Sequence, residues 1–135
     1  MQYHTNWTLD QSISLKTGLI KAIDLAINNT KELLIYTGNK SIFDGNIIEN
    51  IIGQKLQKEL LKNRAVKFKD MTIFLEFKNS KKSTFKRGVI ITPFASSFDY
   101  SDALNDNRCI DIVYTPWMEK EYNDYINKNP NSKLI

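Results

Sequence analysis

Residues 88–117, GVIITPFASSFDYSDALNDNRCIDIVYTPW, decide the fold that this sequence predicts. The stretch holds two apolar runs with a short polar segment between them. Each run closes with a threonine, a proline and an aromatic residue, in Thr92-Pro93-Phe94 and in Thr115-Pro116-Trp117. Because proline ends a strand and the segment between the runs has helical spacing, the pattern predicts strand, short helix, strand.

The remaining elements follow from the same kind of reading. Leu33–Tyr36 is a short continuous apolar run, typical of a strand covered on both faces, and it is followed by Thr37. Residues 71–77 are rich in β-prone side chains and predict another strand. Helical spacing predicts helices that begin near Thr8, at Asp44, at Ser96 and after Trp117.

Together these elements predict a single α/β domain over residues 1–135. The expected architecture is a three-layer sandwich, with a mostly parallel central sheet of four to five strands and helices on both faces. Residues 78–87 have no helical pattern, and a parallel crossover usually needs a dozen or more residues. We therefore expect an antiparallel β-hairpin within residues 71–94, and we expect residues 1–7 and 130–135 to be tails.

Composition narrows the class of protein. The chain has 135 residues, 41% hydrophobic and 25% charged, as in an ordinary globular domain. No apolar run is long enough to span a membrane, and the first residues do not resemble a secretory signal. Cys109 is the one cysteine, so no intrachain disulfide can form and a cytoplasmic location is expected.

Basic residues are concentrated in residues 55–87, which hold eleven Lys and Arg and three acids. Such a segment attracts phosphates or an acidic protein, although a solvated lysine-rich face gives the same composition. Most of these side chains are candidates for contacts with nucleic acid or with an acidic partner: Lys55, Lys58, Lys62, Lys81, Lys82, Lys86 and Arg87.

Templates for catalysis and for cofactors are absent. His4 is the only histidine and lies in a predicted tail, so no catalytic triad has a base, and neither phosphate-binding glycine motif occurs. Glu76-Phe77-Lys78 resembles half of the Glu-x-Lys pattern of metal-dependent nucleases. In that pattern the second acid usually comes from a neighbouring strand, whereas Asp70 is predicted on the same strand as Glu76, so a solvated strand end is favoured. The sequence indicates no metal, no cofactor and no catalytic residue.

The three threonines that end apolar runs form the most coherent set of polar residues. If their strands are parallel and adjacent, the threonines meet at one edge of the sheet, where α/β folds bind ligands. Hydroxyl groups and helix N-termini suit an anion or a sugar. The candidates for this crevice are Thr37, Lys40, Ser41, Thr92, Ser96, Ser97 and Thr115.

The layout from Leu33 to Ile126 resembles small Rossmann-like bacterial domains, in which a strand that ends in Pro-Trp precedes a terminal helix, as Pro116-Trp117 does here. The resemblance implies a fold and transfers no catalytic residue. We expect a non-catalytic binding or interaction domain of bacterial or mobile-element origin, with a protein or an anionic ligand as its partner. The alternatives are a nucleic-acid-binding or degenerate nuclease-like protein that uses residues 55–87, and a protein antitoxin.

Overall fold

The computed structural model describes residues 1–135 as an α/β structure with one seven-stranded mixed sheet and six helices. None of the helices has the length and apolar character needed to cross a lipid bilayer. The elements in chain order are β1 (Gln2–His4), α1 (Gln11–Ile27), β2 (Glu32–Thr37), α2 (Lys40–Phe43), α3 (Asn46–Ile52), α4 (Gln54–Asn63), β3 (Ala65–Phe68), β4 (Met71–Phe77), β5 (Gly88–Pro93), α5 (Ser97–Leu104), β6 (Cys109–Thr115), α6 (Glu119–Lys128) and β7 (Lys133–Leu134).

The strands follow the order β3-β4-β2-β5-β6-β1-β7 across the sheet. Every pairing is parallel except the pairing of β3 with β4. The α/β class predicted from the sequence is confirmed, but the expected four to five strands are wrong. The difference arises because three short strands, β1, β3 and β7, lack an apolar pattern long enough to recognise.

The predicted hairpin within residues 71–94 is also wrong. Strand β2 lies between β4 and β5 and pairs in parallel with both of them. Residues 78–87 therefore cross from one side of β2 to the other without a helix. The hairpin occurs one strand earlier, where Phe68 of β3 pairs with Met71 of β4 and Lys69 has the positive φ of 57° that a tight turn needs.

Both ends of the chain that the sequence marks as tails belong to the sheet. Residues Gln2–His4 pair in parallel with β6, and Tyr3 and His4 pair on their other side with β7. The neighbouring strands extend the sheet beyond β6, so β6 is not an edge strand. Strands of two or three residues are stabilised by hydrogen bonds to neighbouring strands, so the local sequence alone does not predict them.

Side chains alternate between two separate cores, one on each face of the sheet. In β2, Leu33 and Ile35 belong to a core that also contains buried residues of α1, α3 and α4, whereas Leu34 belongs to the other. That second core includes Tyr100 of α5 and Tyr125 of α6. Helices thus cover both faces, with α1, α3 and α4 on one and α5 and α6 on the other.

Two details of the helices differ from the predicted pattern. The helix expected from Asp44 is divided into α3 and α4 at Gly53, whose φ of 87° interrupts the helical backbone. Ser96 caps α5 as the sequence indicates, accepting a hydrogen bond from the backbone nitrogen of Asp99. The helical pattern also predicts that Phe98 is buried, but Phe98 is 76% exposed, because Tyr100 and Ala103 form the inward face of α5.

A chain of buried hydroxyl groups fastens both ends of the chain to α5 and α6. The hydroxyl of Tyr100 donates to Oε1 of Gln2 at 2.8 Å and lies 2.9 Å from the hydroxyl of Tyr125. The Tyr125 hydroxyl is 2.8 Å from Oγ of Ser132, which is 2.8 Å from Nδ1 of His4. Burial lowers the pKa of His4 and raises that of Tyr100, so both side chains are neutral near pH 7.

Replacing Tyr125 with phenylalanine removes the hydroxyl in the middle of this chain. We expect Tyr125→Phe to lower the free energy of unfolding by about 1–3 kcal/mol, because buried partners lose a hydrogen bond. Urea denaturation measures the change. Tyr122→Phe is the matched control, since the Tyr122 hydroxyl makes no hydrogen bond with the rest of the protein. Equal losses of unfolding free energy in the two variants would show that the hydrogen-bonded hydroxyls add no stability.

Candidate functional site

The three threonines at the carboxyl ends of β2, β5 and β6 are fully buried. Their strands are adjacent and parallel, which is the condition that the crevice prediction required. Alternation along each strand, however, places Thr37 and Thr115 on the α1 side of the sheet and Thr92 on the α5 side. The threonine hydroxyls therefore face two cores and do not meet on an open surface.

Each threonine has a structural use in its core. Thr37 donates its hydroxyl to the backbone oxygen of Asn39 at 3.0 Å, and Thr92 donates to the oxygen of Val113 at 3.4 Å. Thr115 makes no hydrogen bond through its hydroxyl, and its methyl group occupies the space where a side chain on Gly18 would lie. Gly18 thus lets α1 pack closely on β6.

The other crevice candidates are exposed but lie at different places. Ser96 and Ser97 line a cavity of about 360 Å³ between α5 and α6, together with Tyr100, Tyr114 and Tyr125. Lys40 and Ser41 begin α2, and Ser41 lines a separate cavity beside Phe94 and Trp117. The predicted set is therefore split between two cavities and two cores, and ligand binding by these residues stays a prediction.

The basic residues of the 55–87 segment are likewise divided. Lys55, Lys58 and Lys62 are exposed on α4, which packs on the α1 side of the sheet through Leu60. The 78–87 connection crosses the opposite face, where Phe85 is buried in the second core. Lys81 and Lys82 lie near the carboxyl end of β4, whereas Lys86 and Arg87 directly precede β5. The sheet thus separates charges that are neighbours in sequence.

Glu76, the acid of the Glu-x-Lys pattern, is held by Arg108. Two parallel hydrogen bonds of 2.9 Å run from the guanidinium nitrogens of Arg108 to the two carboxylate oxygens of Glu76. Ser83 donates to the same carboxylate through its backbone nitrogen at 3.0 Å and its hydroxyl at 2.7 Å. Arg108 also donates to both carboxylate oxygens of Asp106, at 3.0 and 2.8 Å.

These hydrogen bonds determine the ionisation of Glu76 and Asp106. Burial alone would raise the pKa of Glu76, but the hydrogen bonds from Arg108 and Ser83 outweigh it and hold that pKa below its ordinary value. The hydrogen bonds from Arg108 also lower the pKa of Asp106. Both acids are ionised near pH 7, and each is already paired with the guanidinium.

Both charged residues of the Glu-x-Lys pattern are engaged by partners within the protein. Lys78 is paired with Asp99, whose carboxylate lies 3.6 Å from the lysine Nζ. Glu76 is engaged by Arg108, and no group of three His, Cys, Asp or Glu side chains in the structure is placed to hold a metal ion. The pattern reads instead as a structural anchor for the connection between β4 and β5.

An open aromatic pocket occurs at the carboxyl ends of β5 and β6. Phe94 and Trp117 follow the two strand-ending prolines, and their rings meet edge to face with centroids 4.9 Å apart. Trp117 is 40% exposed, and the cavity beside the pair has a volume of about 470 Å³. We call this the aromatic pocket; its lining residues are Ser41, Ile42, Gly45, Asn46, Ile47, Phe94, Trp117 and Glu121.

The backbone fixes the aromatic pair in place. Phe94 has a positive φ of 55°, which is unusual for a residue with a side chain. Its backbone nitrogen donates to the oxygen of Thr115 at 2.8 Å, and Gln11 at the beginning of α1 donates to the oxygen of Trp117 at 3.2 Å. Strained backbone of this kind persists where the surrounding structure holds it, and it clusters at binding sites.

Two features of this region are not predicted by the sequence. Arg108 is the nearest candidate cation for Asp111 in the sequence, but Asp111 lies 3.4 Å from the N-terminal amine of Met1, and Arg108 reaches back to Glu76 of β4. The repeated Thr-Pro-aromatic ending predicts only where two strands end. The informative residue is the third one of each ending, because Phe94 and Trp117 follow strands that are neighbours in the sheet.

No protein family model, no curated protein and no solved structure matches this chain. A functional proposal must therefore come from the geometry of its surfaces.

Replacing Arg108 with glutamine leaves the Glu76 carboxylate buried without its cation. The two side chains are 14% and 6% exposed, so we expect Arg108→Gln to cost about 3–5 kcal/mol of unfolding free energy at pH 7. The loss should be smaller at pH 4. The wild type loses stability as pH falls toward the lowered pKa of Glu76, whereas an unpaired buried carboxyl in the variant is neutralised by the same protons.

Urea denaturation at pH 7 and pH 4 measures this difference. Arg87→Gln is the control, because Arg87 is exposed and makes no ion pair, and its effect should be small at both pH values. An Arg108→Gln loss that is equal at pH 7 and pH 4 would show that Glu76 does not depend on the guanidinium.

Proposed function

We propose that this chain is a non-catalytic binding domain, built as a three-layer sandwich, whose partner is a protein that inserts an apolar side chain into the aromatic pocket. The observation that carries the proposal is the Phe94–Trp117 pair, half exposed at the edge of the sheet where α/β folds bind ligands. Exposed tryptophan and aromatic pairs are enriched in the centres of protein interfaces.

Exposed apolar side chains occur close in sequence to residues that form or contact the aromatic pair. Met118 is exposed directly after Trp117, and Leu9 and Ile13 are exposed two residues on either side of Gln11, which donates to the Trp117 backbone. Single exposed apolar residues are common on protein surfaces, but a group of them around a cavity is typical of an interaction site.

The charge of the pocket restricts the partner. Glu121 is the only charged residue that lines it, and no cation does. An apolar side chain that has a lysine or arginine beside it would therefore be complementary in both shape and charge. This preference argues for a basic segment of another protein and against an acidic one.

The same surroundings support binding without catalysis. The pocket contains no nucleophile beside a base, and the ionisable groups nearest the sheet edge, such as Glu76 and Lys78, are already paired. Nucleic-acid binding through residues 55–87 is the less well supported alternative. Lys55 and Lys58 lie along α4, whereas Lys86 and Arg87 precede β5 at the opposite end of the strands from Lys81 and Lys82.

A peptide library displayed on phage tests the proposal against the purified protein. We expect the enriched peptides to share a bulky apolar residue next to a basic one, and to shift the indole NH resonance of Trp117 in NMR spectra. Trp117→Ala should weaken a selected peptide at least tenfold, or by about 1.4 kcal/mol, because the indole forms one wall of the pocket. Fluorescence anisotropy of the labelled peptide measures its affinity.

Phe98→Ala provides the matched control, since Phe98 is more exposed than Trp117 but does not line the pocket. Its affinity for the peptide should equal that of the wild type, and thermal unfolding checks that both variants are folded. Peptides that bind equally well to Trp117→Ala would contradict the proposal. A concentration-dependent dimer that Trp117→Ala abolishes would contradict it too, by showing that a second copy fills the pocket.

A further inference from the structure

A third cavity, of about 370 Å³, lies where the end of α4 meets the loop after β4. Three cations line it, and no carboxylate does, which distinguishes it from the acid-lined aromatic pocket. We call it the basic pocket; its lining residues are Asn63, Arg64, Ala65, Ser80, Lys81, Lys82, Ser83 and Thr84. It shares no residue with the aromatic pocket.

Arg64 is the most informative residue of the basic pocket. Its guanidinium lies over the ring of Phe77, with the guanidinium carbon 4.5 Å from the ring centroid. Its backbone is fixed in the left-handed region, with a φ of 63°, where it caps the end of α4. The half-buried side chain thus packs on Phe77 beside the pocket.

The charge of Arg64 has no partner within the chain. None of the six ion pairs includes it, in contrast to Arg108, which is engaged by two carboxylates. Arginine that is partly removed from water is usually paired with a carboxylate or a phosphate, because its charge is costly to desolvate. A half-buried, unpaired guanidinium beside a cavity therefore points to an anionic ligand.

The loop that forms the other wall is also fixed. Ser80 bonds both the backbone nitrogen and the backbone oxygen of Phe77, at 2.9 and 2.7 Å, and Ser83 is bound to the Glu76 carboxylate. These contacts hold Lys81 and Lys82 opposite the end of α4. Lys82 has one acid within ion-pair distance, Asp106, at 3.8 Å, and Asp106 does not line the basic pocket.

We propose that the basic pocket binds a small ligand with at least two linked phosphate groups. The guanidinium of Arg64 offers the paired donors that match phosphate oxygens, and the two lysines and the hydroxyl of Thr84 supply further donors. The volume exceeds the needs of a single phosphate. The proposal is independent of the aromatic pocket and of the protein partner proposed for it.

A nucleic-acid backbone carries the same phosphate chemistry but fits the site less well. The lysines of α4 that would continue a track of phosphates, Lys55 and Lys58, do not line the pocket. The nearest aromatic rings, Phe77 and Phe85, are buried and offer no face on which a base could stack. The cations therefore form a local cluster, which favours a compact polyphosphate.

Titration with inorganic pyrophosphate, followed by two-dimensional NMR of the ¹⁵N-labelled protein, tests the proposal. We expect saturable shifts confined to the amides of residues 63–65 and 80–84. Arg64→Gln should weaken binding at least tenfold, and Arg64→Lys should restore only part of the affinity because an ammonium group cannot form the paired hydrogen bonds. Lys81→Gln combined with Lys82→Gln should weaken it similarly, which keeps the test available if Arg64 variants do not fold.

The charge-matched controls are Lys55→Gln for the Arg64 variants and Lys55→Gln with Lys58→Gln for the double variant. Both leave the pocket intact and should retain wild-type affinity. Absence of pyrophosphate binding at low salt, or equal losses in the controls, would overturn the proposal. A single-stranded oligonucleotide that binds more tightly than pyrophosphate, with shifts that extend along α4, would overturn it in favour of nucleic acid.

Discussion

The hydrogen-bonded ion pair between Arg108 and Glu76 is the constraint on which the arrangement of this sheet depends. It joins the beginning of β6 to the end of β4 across β2 and β5, which lie between them. The connection between β4 and β5 has no helix to cover that face, and instead Ser83 and Phe85 are fastened to the same pair. A polar clamp thus takes the place of the crossover helix that a parallel sheet normally uses.

The clamp explains why local elements were predictable and their pairing was not. Apolar runs and helical spacing are patterns of residues close together in the chain, and they can be recognised from sequence alone. Five elements therefore lie close to their predicted positions: β2, β4, β5, β6 and α5. With β2 inserted between β4 and β5, Glu76 pairs with Arg108, a residue far along the chain whose partner cannot be predicted from its neighbours in sequence. The short strands at the two ends depend in the same way on an edge that only the folded sheet provides.

The candidate site was less predictable than the fold because a strand's last residue can face either way. The threonines were correctly expected at one edge of the sheet, but the twofold alternation of strands turned their hydroxyls into the cores. The aromatic residues just past the prolines have left the strand, and Phe94 and Trp117 are free to face the surface together. The sequence predicts the end of the sheet at which the candidate site lies, but only the structure shows which side chains are exposed there.

The same ion pairs determine which charged side chains remain unpaired and available to a partner. Arg108 forms ion pairs with Glu76 and Asp106, and Asp99 forms one with Lys78. The acids near the end of β4 are therefore neutralised inside the protein. Arg64 and Lys81 are then left without a carboxylate in a segment that already holds eleven cations and three acids. Glu121, which lines the aromatic pocket, accepts a hydrogen bond from the backbone nitrogen of Met118 and has no ion pair. The two pockets therefore differ in the sign of the charged residues that line them, and ligands complementary to them need not compete for one site.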